Sequence, residues 1–273
     1  MNKLKKEDDL RLLLLTDPPG TLAVPALSRT LVSIHVGPSV QVGCRRGGQT
    51  HRGLAVHGDI DLIPAQTPSV WQLAEKDTAF VLSLSPGLLQ RVSAELELDP
   101  QRVEIRNRFQ MRDPHLENIG WALKAELESG YANGKLFLDS LAIAVTTRLI
   151  RCYSAQAPLT PKQPSSLSGR KLKQVLSFIE DNLSQQLSLN EIAASAGLSA
   201  SHFKQVFRTA VGLPVHQYVI RRRVERARLL LRESDLAISQ IALETGFAHQ
   251  SHLAHHLRRA FGVSPQAMRK LSD

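Results

Sequence analysis

Two kinds of hydrophobic period divide the chain. Between Thr21 and Leu84 apolar and polar residues alternate in short runs: TLVSIHVG, VQVGC, GLAVHGDIDLIP, SVWQLAE and AFVLSLS, broken by turn residues. A period of two between turn residues predicts strands of an antiparallel sandwich or barrel. The period then lengthens to that of a helix at PGLLQRVSAELEL, at HLENIGWALKAELESG and most clearly at GKLFLDSLAIAVTTRLIRCYS. In the last of these Leu138, Leu141, Ala142, Val145, Leu149 and Cys152 recur at threes and fours. That stripe is wide enough to cover either the barrel or a twin helix in a second subunit.

A stretch rich in proline and serine, AQAPLTPKQPSSLSG, has no apolar period and predicts an extended linker. It divides the chain into a first domain at 1–153, a linker at 154–169 and a second domain at 170–273. Everything beyond the linker is helical in pattern. Ser188 precedes LNEIAAS and Ser199 precedes ASHFKQVF, while Gly197, Gly212, Gly246 and Gly262 stand at helix ends.

The second domain contains an internal repeat. LNEIAASAGLSASHFKQVFRTAVG aligns with ISQIALETGFAHQSHLAHHLRRAFG if the second turn takes one extra residue. Leu189, Ile192, Ala193, Gly197 and Leu198 match Ile238, Ile241, Ala242, Gly246 and Phe247; Phe203, Phe207 and Gly212 then match Leu253, Leu257 and Gly262. A small alanine four residues before a turn glycine lets two helices cross steeply, so each copy predicts a helix-turn-helix. Between the copies, PVHQYVIRRRVERARLLLRES predicts one continuous helix of about 20 residues, about 30 Å long. Two recognition helices reading one face of a duplex must lie about 34 Å apart, and a rigid helix of this length is a suitable spacer.

With these motifs in place, residues 170–273 resemble the DNA-binding domain of the AraC/XylS family of transcriptional regulators. The paired turns, the inner RVERARLLL, and ISQIALETGF followed by FGVSPQAMR carry the resemblance. It implies a sequence-specific regulator, more commonly an activator, that binds promoter DNA, recruits RNA polymerase and is dimeric. On the helical wheel Phe203, Val206, Phe207 and Ala210 face inward in the first copy, as do Leu253, Leu257, Ala260 and Phe261 in the second. The outward residues Ser201, Lys204, Gln205 and Arg208, with Gln250, Ser251 and His255, become candidates for reading bases; Gln205 suits paired bonds to adenine. Arg221, Arg222, Arg258 and Arg259 become candidate phosphate clamps.

The histidines His249, His252, His255 and His256 cluster in the second copy, and the i, i+4 pair His252 and His256 invites a metal-site reading. No Cys, Asp or Glu lies within that helix to complete a ligand set, so no metal or cofactor is assigned there. His252 and His255 are instead placed outward, and His202 and His256 on the flanks as packing or capping residues.

In the first domain GDIDLIPAQTPSVW resembles the second conserved motif of cupin barrels. Gly58 and Pro64 match, whereas Gln66 stands at the usual glycine and Ser69 at the usual histidine ligand. The fold expected is therefore a mainly-β, cupin-like barrel with flanking helices, followed by an all-α double helix-turn-helix domain. The resemblance implies that the barrel either binds a small effector or serves only to dimerise. His35, His51 and His57 do not reproduce the paired ligands of a working cupin and read as strand or loop residues, and Trp71 and Phe80 read as core or cavity lining.

Composition narrows the remaining classes. With 42% hydrophobic and 22% charged residues the chain is that of packed globular domains. The net charge of +9 is unevenly placed: Ser165 to Asp273 hold 15 Lys and Arg against 8 Asp and Glu, leaving 19 against 17 for residues 1–164. The surplus thus falls on the domain expected to meet a polyanion. Two distant cysteines, Cys44 and Cys152, form no disulfide framework, and Arg45 and Arg46 beside Cys44 are not enough to mark a reactive thiol. Leu10 to Leu15 form too short a run for a signal peptide or membrane span, which leaves a cytoplasmic protein as the expectation. The rival readings are a metal-dependent cupin enzyme with a DNA-binding tail, opposed by Ser69, and a nonspecific DNA binder, opposed by two distinct outward faces.

Overall fold

The computed structural model describes residues 9–155, 167 and 169–270. It divides into two compact units, Met1–Pro164 and Ser165–Asp273. Most of the expected linker, and the charged run before Asp9, lie outside the described residues.

Among the described residues the first unit holds nine strands in two antiparallel sheets. The strands are β1 (Leu10–Asp17), β2 (Gly20–Val24), β3 (Thr30–His35), β4 (Val40–Arg46), β5 (Gln49–Ala55), β6 (Ile60–Ile63), β7 (Ser69–Leu73), β8 (Asp77–Leu84) and β9 (Arg108–Met111). One sheet has the order β1-β8-β3-β6-β9 and the other β2-β7-β4-β5. Hydrogen bonds do not close the barrel, which stays a pair of sheets. Helix α1 (Pro86–Glu95) lies between β8 and β9, and α2 (Pro114–Glu128) and α3 (Gly134–Tyr153) follow β9.

Alternation along three strands puts Val32 and Ile34, Ile60 and Leu62, and Phe80, Leu82 and Leu84 into one core. Leu88 and Val92 of α1, Leu116 and Leu123 of α2, and Ala142, Val145 and Leu149 of α3 fill it from the helical side. The α3 stripe is therefore spent within its own unit. Three strands, β1, β2 and β9, are not among the segments picked out by alternation. β1 is leucine-rich, with four leucines in succession after Arg11, and is recruited by the ladder that pairs Leu10 with Leu84 through Asp17 with Asp77. β9 has only four residues and pairs with β6 across a register shift.

The second unit is helical throughout its described residues: α4 (Gly169–Asp181), α5 (Leu189–Ser195), α6 (Ala200–Val211), α7 (Val215–Glu233), α8 (Ile238–Glu244), α9 (Gln250–Phe261) and α10 (Pro265–Lys270). The two helix-turn-helix copies are α5–α6 and α8–α9, and α7 runs between them. Ala193 and Ala242, at 1% and 0% exposure, are the close-approach residues of the two crossings. Phe203, Val206 and Phe207 fill the first copy, with Phe207 edge-on to Tyr218 of α7. Leu253, Leu257, Phe247 and Ile241 pack on Val224, Ala227 and Leu231 of α7 in the second.

The helix starts differ between the copies. Ser188 and Glu191 form a reciprocal capping box on α5, and the Ser199 hydroxyl accepts a bond from the His202 amide at the start of α6. The corresponding residues Ala237 and His249 give α8 and α9 no side-chain cap.

Candidate nucleic-acid interface

On α6 the side chains of Ser201, Lys204, Gln205 and Arg208 are exposed and line one open depression together with Thr209. The inward face explains this arrangement: once Phe203, Val206 and Phe207 are buried, residues between them on the wheel must face solvent. Thr209 was absent from the sequence reading, although its spacing of four from Gln205 places it on the same face. Its hydroxyl donates to the Gln205 carbonyl at 3.0 Å.

On α9 the residues Gln250, Ser251, His255, Arg258 and Arg259 are exposed in the same way. Arg258 and Arg259 lie in the last turn, where a cation also offsets the helix dipole. Two placements on this helix differ from expectation. Ala260 is exposed rather than inward, because the helix is near its end and Phe261 alone turns back to the core. His252, expected outward, is half-buried with its ring edge-on to Phe247 at 5.3 Å. His256 lies against the same phenyl ring at 5.7 Å, and its Nε2 is 3.1 Å from that of His252. Burial, with His252, His255, His216 and Arg259 nearby, holds the His256 imidazole below its ordinary pKa. His202, expected to pack or cap, has an exposed side chain and joins the first cap only through its amide.

The phosphate set needs one correction. Arg222 is only 6% exposed. Its guanidinium donates Nε to Glu180 Oε1 at 2.5 Å, Nη2 to Glu180 Oε2 at 3.0 Å, and Nη1 to Glu225. Burial alone would lower its pKa, but the two carboxylates outweigh burial and raise it. An arginine enclosed by acids is not free to clamp a phosphate. Its neighbour Arg221 is half-buried, with Nε 3.5 Å from Glu225, and Arg258 and Arg259 remain at the surface.

In the first unit the cupin-like motif serves packing. Gly58 has φ +83°, and a Cβ there would stand 2.5 Å from Arg112 Nη1. Ser69 is buried on β7, where its hydroxyl accepts the Trp71 indole N–H at 3.0 Å. The three histidines are dispersed: His35 is 2.8 Å from Asp77, His51 is 2.9 Å from Gln110 Oε1, and His57 stacks on Trp121 at 4.7 Å. Among the described residues no three His, Cys, Asp or Glu side chains are grouped to hold a metal ion.

Phe80 is fully buried, and Trp71 packs on Val40, Val42, Ala55 and Leu73. Neither lines the cavity of about 510 Å³ that opens beside α1 between Thr30, Pro64, Leu89 and Ile105. Burial pushes the Cys44 thiol up to about 11 despite the neighbouring Arg46, so it is a poor nucleophile.

Arg46 itself was not foreseen. Its buried guanidinium donates to Asp61 at 2.6 Å and to Asn107 Oδ1 at 2.6 Å, and lies over the Phe109 ring at 3.9 Å. The alternation of Val40, Val42 and Cys44 points it inward, which is the signal that could have found it.

Two helix-turn-helix copies on one linking helix, each with a polar recognition face, define a DNA-binding module. Comparison with known proteins bears on the family. A helix-turn-helix domain model matches residues 192–271. The transcriptional activator AarP of Providencia stuartii is 37% identical over 102 residues, which span 37% of this chain and 75% of AarP. ExsA of Pseudomonas aeruginosa is 30% identical over 125 residues, 46% of this chain and 45% of ExsA. The DNA-binding domain of AdpA, solved with a target DNA, is 32% identical and covers 39% of this chain and 93% of that domain, with a TM-score of 0.36. The chain belongs to the AraC/XylS family of transcriptional regulators. It spans less than half the length of ExsA and about a third of that of the LumQ regulator of Photobacterium leiognathi.

Proposed function

We propose that the protein is a sequence-specific DNA-binding regulator of transcription that inserts α6 and α9 into adjacent stretches of one major groove. In this reading Ser201, Lys204, Gln205 and Arg208 meet bases of one box, and Gln250, Ser251 and His255 meet the other. Arg258 and Arg259 hold phosphates, with Arg221 at the margin, and Arg222 is excluded by its burial. The observation that carries the proposal is the pair of exposed polar faces at equivalent places in two copies joined by α7.

The first unit, 1–153, acts through the 154–169 linker on the reader at 170–273, either by binding a small effector or by pairing two chains. Activation through recruitment of RNA polymerase is the preferred sign, since AarP is named an activator. No catalytic step and no metal is assigned, because the Ser69 hydroxyl accepts the Trp71 indole N–H and the histidines are dispersed. The cytoplasm is the proposed compartment; no helix of the described residues is long and apolar enough to cross a membrane.

Selection of duplexes from a random pool by the full-length chain, at near-physiological salt, tests the proposal. Two boxes about one helical turn apart are expected. Recovery of duplexes with no common motif, both with and without candidate effectors, would refute it.

A further inference from the structure

Three consecutive arginines on α7 have three different surroundings, and the third has the least usual one. Arg223 donates from Nε to the Leu183 carbonyl at 3.0 Å, from Nη1 to the Gly246 carbonyl at 2.7 Å and from Nη2 to the Gln185 carbonyl at 2.5 Å. Leu183 and Gln185 lie in the connection between α4 and α5, ahead of the first helix-turn-helix. Gly246 lies in the turn of the second. One guanidinium thus ties the segment that leads into the first copy and the turn of the second to the helix between the copies.

The joint is also tight. Gly246 has φ +78°, and a Cβ there would come within 2.2 Å of the Leu183 carbonyl oxygen and 2.7 Å of the Arg223 guanidinium carbon. The second turn is therefore seated directly on the segment that follows α4. Burial lowers the Arg223 pKa, and among the described residues its guanidinium is held by three backbone carbonyls. A planar fork of five N–H donors can triangulate three separate carbonyls, whereas the compact ammonium of lysine lacks that fixed fork.

We infer that Arg223 is a positioning residue that sets the angle between α6 and α9, and so determines the spacing of the two DNA boxes this protein accepts. The inference rests on the proposed two-box reading. One added base pair moves a box about 3.4 Å along the axis and turns it around the duplex. A rigid joint should reject that displacement and a loosened one should tolerate it.

The test uses the full chain and duplexes recovered by selection with the wild type, rebuilt with the box spacing changed by one or two base pairs either way. Wild type should lose about tenfold or more in affinity at each altered spacing, the scale of a mismatched base pair. Arg223→Gln should bind the original spacing more weakly while its losses at altered spacings shrink to about threefold or less. Arg223→Lys, which keeps the charge and the aliphatic stem, should fall between them, and it carries the same test if the glutamine variant does not fold.

If either folded variant loses affinity by one common factor at every spacing, Arg223 only stabilises the domain and the inference fails. If wild type itself shows no preference for two boxes, the proposed function fails first, a result visible before any variant is made.

Discussion

Removing the Arg222 side chain separates the buried reading of this residue from the phosphate reading that its place in an arginine run suggests. Arg222→Ala leaves Glu180, whose side chain is 9% exposed, facing a cavity without its counter-ion, and takes one partner from Glu225. Breaking a buried ion pair from one side costs about 3–5 kcal/mol, because the remaining charge stays desolvated. At a urea slope of about 1.5 kcal/mol per molar, that is a drop of about 2–3 M in the unfolding midpoint. The two tryptophans, Trp71 and Trp121, both belong to the first unit, whereas seven of the ten described helices belong to the second. Far-ultraviolet circular dichroism should therefore show an early helical transition while tryptophan fluorescence keeps its wild-type midpoint. In mild conditions, where the variant is folded, the salt dependence of DNA affinity should be unchanged. A phosphate contact would lower that slope by about 1. A midpoint shift below about 0.5 M together with a reduced slope would refute the buried-pair argument.

Other consequences are open to equally direct measurement. Gln205→Ala should weaken binding at particular base positions with the salt slope intact, and Arg258→Ala should weaken all sequences alike and reduce the slope by about 1; competition on specific and scrambled duplexes distinguishes them. The folded-state pKa of His256 lies below its unfolded value, so the unfolded chain takes up the proton first as pH falls, and the contribution is complete above about 6.5 and declines below it. Thermal melting between about pH 7.5 and 5.5 should show a smaller acid loss in His256→Gln than in wild type, and equal losses would count against this assignment. Gly58→Ala places a Cβ against the Arg112 guanidinium and Glu117 at a left-handed φ, and should cost about 2 kcal/mol or more. The Trp121 fluorescence transition reports it, since the indole N–H donates to Glu117 at 3.2 Å.

The features legible in the sequence were those that repeat or alternate. Ala193 with Gly197 and Ala242 with Gly246 marked both turns, and the capping serines Ser188 and Ser199 marked two helix starts. The α6 face followed from the wheel because its buried residues are large and evenly spaced. The arginine run did not resolve in the same way. Arg221, Arg222 and Arg223 differ by about 100° steps around α7, and identical residues give no sign of which step faces the core. Glu225 was within sight three residues on, but Glu180, which fixes the outcome, lies 42 residues away in sequence. Leu10 to Leu15 failed for another reason: four consecutive leucines after Arg11 carry no period, and only pairing with β8 shows the segment to be a strand.

The two helix-turn-helix copies share a topology and yet differ in how they are started. Ser188 with Glu191, and Ser199, give α5 and α6 local caps, each worth about 1 kcal/mol, that require no distant partner. Ala237 and His249 give α8 and α9 nothing comparable, so the order of the second copy is supplied by its packing on α7. The second copy takes its order from the α7 surface it packs on, so its helix starts depend on contacts distant in sequence where those of the first are local.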